Sequence, residues 1–282
     1  MSLLNVLFLI HTHRNIETLQ SSKDGVETDR IQGGAQTIAN LIAAELGEQV
    51  RLEALVRAIA QDADSVTVRA DNVTVRARRV IVALPPVLTG HLHYDPMLPV
   101  DRLLLNQRVP TGAIVRAVTV YDEPFWRADG LSGHAIALNS PVSYSIDMSP
   151  ESGRPGMLSS YASGPAGRAL GRMDAAERWR KFLDALEARF GPKAATPTHY
   201  IEADWAKEEW TQGGMITHFP PGVLTEFGPA LRAPVGRIHW ACTETATIWH
   251  AQIEGAVRSG ERAAEEVLQA GERAVEEVSP VG

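Results

Sequence analysis

The sequence has a single cysteine, Cys242, so no intrachain disulfide can form, and the composition fits a reducing compartment. It also lacks a long apolar run. "NVLFLI" at 5–10 is the longest near the start, far short of the roughly 20 residues that cross a bilayer. That stretch has no basic flank and no A-x-A-like cleavage site, so neither a signal peptide nor a membrane anchor is expected, and the cytoplasm is the expected location. Lysine and arginine (27) are outnumbered by aspartate and glutamate (34), and a formal net charge of -7 leaves no basic footprint for nucleic acid. No G-x-S-x-G elbow is present, which removes one route to serine catalysis. The glycines offer no G-x-G-x-x-G either. Gly33-Gly34 lacks the spacing, and Gly164, Gly167 and Gly171 are three and four apart, with Pro165 removing a backbone donor. His11 and His13 would share one face of a strand, but no third ligand follows at a recognisable spacing, so no metal is expected.

What is present is ordinary globular material: 282 residues, 44% hydrophobic, enough for one large domain or two interleaved ones. The spacing predicts a helix over Gln36–Leu46, with Ile38, Leu41, Ile42 and Leu46 on one face and Gly47 just past its end. VTVRA occurs at 66–70 and again at 73–77, around the turn Ala70-Asp71-Asn72, and reads as two adjacent strands. Pro85-Pro86 stops the next strand. Strand-like runs follow at 113–121, 133–138, 142–147 and 157–162. "DAAERWRKFLDALEARFG" is the clearest helix, with Asp174 and Glu177 as a capping box and Gly191 as its stop. Strands and helices mix without strict βαβ alternation, which implies an α+β, or mixed α/β, fold. A last helix opens near Glu254-Gly255-Ala256, and Gly255, Ser259 and Ala263 lie four apart on one face. Two readings of that small face stay open. One is tight packing of the helix on a sheet. The other is close approach to a flat ligand whose electron-rich oxygens meet the positive helix start.

Several segments carry a resemblance to a known family. "CTETAT", Trp249 and "EGAVRSGERAAEEV" resemble the closing motif of the flavin-dependent monoamine oxidase family, whose usual form has glycine at the Cys242 position. Gly33-Gly34 with its helix, "RVIVALPP", "PTGAIVRAVTVYDEPFW", "PVSYSI", "KEEWTQGG" after Trp205, and "FPPGVLTEFG" are similar to that family in the same order, from about residue 5 to 268. The resemblance implies an amine oxidase-like fold with interleaved domains: a partial FAD-binding domain over 1–100, a substrate domain over 101–212, a returning FAD-binding segment over 213–270, and a tail over 271–282. It implies FAD as cofactor and a small-molecule amine as partner. The ring would take hydride equivalents from the carbon beside nitrogen, leaving an imine, and oxygen would reoxidise it. By the same resemblance, Glu244 contacts the ribityl–phosphate region and the backbone of Val56 meets adenine. Ala83 and Pro85 lie beside the cofactor, and the helix start with Gln252 and Ile253 faces the ring's pyrimidine oxygens. Trp205 stands near the flavin, while Ile136, Tyr144, Ser160 and Tyr161 line the substrate cavity.

The departures bear on substrate. Arg116 replaces the family's lysine near the ring's reactive nitrogen; it stays cationic, is bulkier, and is not a tunable amine. Met215 stands where covalent members have cysteine, so any FAD is expected to be non-covalent. Ile216 and Gln252 replace two tyrosines that flank the amine, and neither supplies a π-face. His218 could line the flavin pocket or be a structural histidine, and Cys242 reads as a small buried thiol. Without the family's βαβ unit the chain resembles a C-terminal portion, with Met1 open as the true start. A separate N-terminal flavin-binding portion or a homo-oligomer is then a candidate partner. The alternative to an enzyme is an inactive remnant, or a partner-binding subunit without flavin.

Overall fold

The computed structural model describes residues 2–21, 25–26 and 29–276, so the end of the expected tail lies outside the described residues. The first stretch of chain opens with α1 (Leu3–Thr12), α2 (Ile16–Gln20) and α3 (Gln36–Leu46). It continues through β1 (Val56–Gln61), β2 (Val66–Ala70), β3 (Thr74–Ala77), β4 (Val80–Val82), α4 (Pro86–Thr89), β5 (His93–Asp95) and α5 (Val100–Arg108). Next come β6 (Ile114–Tyr121), β7 (Ala135–Ile136), β8 (Tyr144–Asp147), β9 (Gly156–Ser163), α6 (Gly164–Gly171), α7 (Ala175–Phe190) and β10 (His199–Asp204). The last stretch holds α8 (Val223–Phe227), β11 (Ile238–Trp240) and α9 (Ile253–Glu276). Two compact units result: 1–110 with 218–282, and 111–217.

In the first unit, the repeated VTVRA forms the antiparallel pair β2–β3, with Val66 opposite Ala77, inside a four-stranded sheet ordered β3-β2-β1-β5. A separate parallel pair joins β4 to β11, with Val82 opposite Trp240. Ile59, Val66, Val82, Tyr94, Leu98, Ile238 and Trp240 close into one core. Arg102 enters this core from α5. Its guanidinium carbon lies 3.6 Å from the centre of the Trp240 ring, and Nη1 donates to the carbonyls of Ala230 (3.0 Å) and Leu231 (3.1 Å). Burial lowers its pKa to about 10, so it stays charged at neutral pH.

Helix α1 inverts the usual arrangement. Asn5 and Thr12 are buried, while Leu3 and Leu7 are exposed. The polar groups are inside because they have partners: Asn5 Oδ1 accepts the Phe219 N–H at 2.7 Å, and the Thr12 hydroxyl donates to the Leu9 carbonyl at 3.0 Å. Because 3–12 is helical, His11 and His13 do not share a strand face; His11 is exposed and His13 buried. Among the described residues no group of three potential ligands could hold a metal, and no helix is long and apolar enough to cross a membrane. Helix α3 has the expected bounds, yet Leu41, Ile42 and Leu46 on its apolar face are exposed.

The small face of α9 is occupied by the chain's own backbone. A Cβ on Gly255 would sit 2.0 Å from the Trp249 carbonyl oxygen. Ser259 Oγ accepts the Cys242 N–H at 3.0 Å and donates to the Ala256 carbonyl, and Ala263 is fully buried. At these positions the packing reading describes the structure. The space that glycine and serine leave is filled by the turn after β11.

The second unit is a five-stranded antiparallel sheet ordered β10-β6-β9-β8-β7. Period-two alternation along β6 turns Val115, Ala117, Thr119 and Tyr121 into the core. Helix α7 covers that face. Asp174 caps it by accepting the Glu177 N–H at 2.8 Å, and it buries Arg178, Phe182, Leu186 and Phe190 at a four-residue spacing. Glycines 164–171 form α6, where a Cβ on Gly167 would meet the carbonyls of Ala113 and Ala162 at 2.7 Å each. Gly167 therefore serves helix-on-sheet packing.

Candidate functional site

The face of the sheet opposite α7 carries a row that the register brings together. Ala203, Arg116, Tyr161, Tyr144 and Ile136 stand directly across from one another on β10, β6, β9, β8 and β7. The Tyr161 and Tyr144 rings lie 5.6 Å apart, tilted by 53°, and His134 meets Tyr144 edge-on at 5.0 Å. The Arg116 guanidinium carbon is 5.5 Å from the Tyr161 ring centre, within cation–π range. Its Nε donates to the buried Ser159 hydroxyl at 2.9 Å, which fixes the direction of the group. Ser160 does not belong to this row. One residue along β9 reverses the side chain, so Ser160 is buried on the α7 side, opposite Ala117 and Ser145. The sequence supplied no signal for His134; only its ring contact with Tyr144 places it.

At the edge of the same unit, Gly214 packs between Ile114 and Trp205. A Cβ there would lie 3.3 Å from Ile114 Cγ2 and 3.7 Å from Trp205 Cβ. The Gly214 N–H donates to the Gly112 carbonyl at 2.9 Å. This anchors the segment that presents Met215, which is exposed, and Ile216, which is half-buried.

In the first unit, β4 and β11 run parallel, and both end at one place. Ala83 and Pro85 follow β4, and the Cys242–Thr245 turn follows β11. Crevices beyond the carboxyl ends of parallel strands are the common ligand position in α/β sheets. Glu244 is buried there and accepts from the Cys242 thiol at 2.7 Å. Burial, then the Glu244 charge, pushes the Cys242 pKa up, so the thiol stays protonated and is no nucleophile. Gln252 and Ile253 open α9, and Ile253 is half exposed. Val56 begins β1 in the four-stranded sheet and packs on the Trp240 core.

The sequence reading missed a second feature of this unit. His250 is buried, and neither ring nitrogen reaches a hydrogen-bond partner. It lies between Phe8 (5.0 Å) and Phe219 (6.0 Å). Burial lowers its pKa to about 4; the Glu244 charge opposes that shift, and the Thr243 backbone is near enough to oppose it too without making a bond of good geometry. His13 Nε2, His218 Nδ1 and Asn5 Nδ2 are likewise buried without partners. Burial also lowers the His218 pKa. Buried polar atoms without protein partners call for water or a polar ligand. Together with the Glu244 carboxylate and the positive start of α9, they fit the mixed donors and acceptors of a flavin.

Comparison with known proteins follows the same lines. The model of the family described as flavin containing amine oxidoreductase matches residues 6–268. A probable flavin-containing monoamine oxidase A of Dictyostelium discoideum is 39% identical over 268 residues, covering 94% of this chain and 59% of that protein. An L-amino acid dehydrogenase of Synechocystis sp. is 38% identical over 267 residues, covering 95% of this chain and 56% of that protein. The solved structure of wild-type putrescine oxidase bound to putrescine superposes with a TM-score of 0.91 at 34% identity, covering 95% of this chain and 60% of that one. The chain thus spans somewhat under three-fifths of the length of these curated relatives.

Proposed function

The chain belongs to the flavin-containing amine oxidoreductase family, and from that premise we propose that it oxidises the C–N bond of a small amine to an imine, with non-covalent FAD as cofactor and dioxygen as acceptor. The overall balance is amine plus dioxygen to imine plus hydrogen peroxide. The observation that carries this reading is the family match over 6–268, which includes both the Glu244 turn with α9 and the Arg116–Tyr161–Tyr144 row.

Bound FAD supplies a two-electron acceptor for the hydride on the carbon beside nitrogen. Glu244, Ala83, Pro85, Val56, Gln252 and Ile253, all of the first unit, would hold it. Glu244 accepts hydroxyl donors, and the helix start favours electron-rich oxygens. A thioether at Met215 has no leaving group or free thiol, so it forms no covalent link. Trp205, which packs on Gly214, would offer a flat apolar surface. Tyr144, Tyr161, Ile136 and Ile216 would shape the substrate's surroundings, and Arg116 supplies a fixed positive charge.

The test is to purify the chain, record the visible flavin spectrum, acid-precipitate it, and assay peroxide release with a panel of amines. Flavin in the supernatant and peroxide with at least one amine are expected. Flavin that stays with the pellet overturns the non-covalent link. Absence of both flavin and peroxide, also after reconstitution with FAD, overturns the enzyme reading in favour of a partner-binding role.

A further inference from the structure

The row on the second unit's sheet has a charge imbalance. Every acidic side chain on the paired strands points to the opposite face and is already engaged. Glu202, opposite Ala117, is bound by Arg178 and by the Tyr200 hydroxyl at 2.8 Å. Asp204, opposite Val115, meets Lys207 at 3.3 Å. Asp147, opposite Leu158, accepts from Trp126 Nε1 at 2.9 Å and Arg127 at 2.8 Å. The face with Arg116 holds Ile201, Ala203, Val118, Ser159 and Ile146 around it, all uncharged. Among the described residues no carboxylate lies within 4.0 Å of Arg116, although the side chain is half-buried. Ser159 takes its Nε, which leaves the two terminal nitrogens as an aimed fork.

A half-buried, oriented guanidinium without a protein anion is built for a planar anion that accepts two parallel hydrogen bonds. The same charge repels a substrate whose only ionised group is an ammonium. Next to it, the tilted faces of Tyr161 and Tyr144 offer a surface for a hydrocarbon body. We infer that this row is a subsite for an amine that also carries a carboxylate, an amino acid, with Arg116 holding the carboxylate and Tyr161 and Tyr144 holding the side chain. The inference rests on the amine-oxidising reading and names its substrate class.

Two ligands that differ only by the carboxylate, L-phenylalanine and 2-phenylethylamine, give the test. Their affinities for the purified full chain are measured by calorimetry, with Arg116→Gln and Arg116→Lys beside the unaltered chain and far-ultraviolet circular dichroism as the check of folding. A charge-assisted pair is worth about 10- to 100-fold in affinity, so L-phenylalanine is expected to bind tighter by about that factor. Arg116→Gln should erase the ratio without weakening 2-phenylethylamine, and Arg116→Lys should retain part of it, since lysine keeps the charge and loses the fork. Equal or tighter binding of 2-phenylethylamine, a ratio unmoved in Arg116→Gln, or binding of neither ligand overturns the inference. Peroxide released equally from both amines removes the inference and leaves the oxidase reading intact. Tighter binding of L-phenylalanine that Arg116→Gln erases, in a chain that takes up no flavin, does the reverse.

Discussion

Replacing His250 with leucine should stabilise the protein and flatten its acid sensitivity. In the folded chain the ring is buried between Phe8 and Phe219 and titrates near 4, whereas an unfolded histidine titrates near 6.5. Between those values the unfolded chain binds a proton that the folded chain does not, so stability falls as pH is lowered from 6.5 through 4, and the group contributes nothing above 6.5. The difference of 2.5 between the two values, at about 1.4 kcal/mol per unit, gives a loss of about 3.5 kcal/mol once the pH is below 4. Leucine has nearly the same volume and no proton to bind. It also removes two nitrogens that have no partner, worth about 1–2 kcal/mol at neutral pH, against about 0.5–1 kcal/mol of lost ring–ring contact. Urea unfolding followed by circular dichroism at about pH 7.5, 6.5, 5.5 and 4.5 reads both effects. His250→Leu should lead by up to about 1.5 kcal/mol at the highest pH, and its lead should widen by roughly 2.5 kcal/mol at the lowest. A lead that stays constant with pH would show that His250 is not the acid-sensitive group.

Other perturbations follow from the packing. Arg102→Ala leaves the Ala230 and Leu231 carbonyls without their donor and uncovers the Trp240 ring, so chemical denaturation should show a loss of about 3 kcal/mol. Gly255→Ala drives a Cβ to within 2.0 Å of the Trp249 carbonyl, and the backbone shift should cost about 2 kcal/mol or more in the same assay. Leu7→Lys, on the exposed side of α1, should alter stability by less than about 0.5 kcal/mol, since it removes no buried contact.

Local signals carried much of the fold. The α7 bounds follow from Asp174 and Gly191, and the β2–β3 pair from a repeated alternating pentapeptide around a turn. The order of the family's motifs was legible residue by residue. Other features were not. A strand's alternation shows which residues share a face but not which residue of another strand stands opposite. The Arg116–Tyr161–Tyr144–Ile136 row joins strands that are separated along the chain, and one step of register puts Ser160 in the core instead of beside Tyr161. Likewise, "NVLFLI" looks like core material by composition, yet its helix buries Asn5 and exposes leucines, because Phe219 offers Asn5 a backbone donor from more than 200 residues away.

Taken by itself, the sequence determined the family and the mixed α and β character, since these reside in residue identity and short spacing. Only the tertiary structure decided that the small face of α9 is filled by the Trp249 backbone, that His250 is buried with bare nitrogens, and that Arg116 has no acidic neighbour within 4.0 Å among the described residues. The reason is that burial, hydrogen-bond pairing and charge balance depend on which distant segments meet, and local pattern holds no record of that.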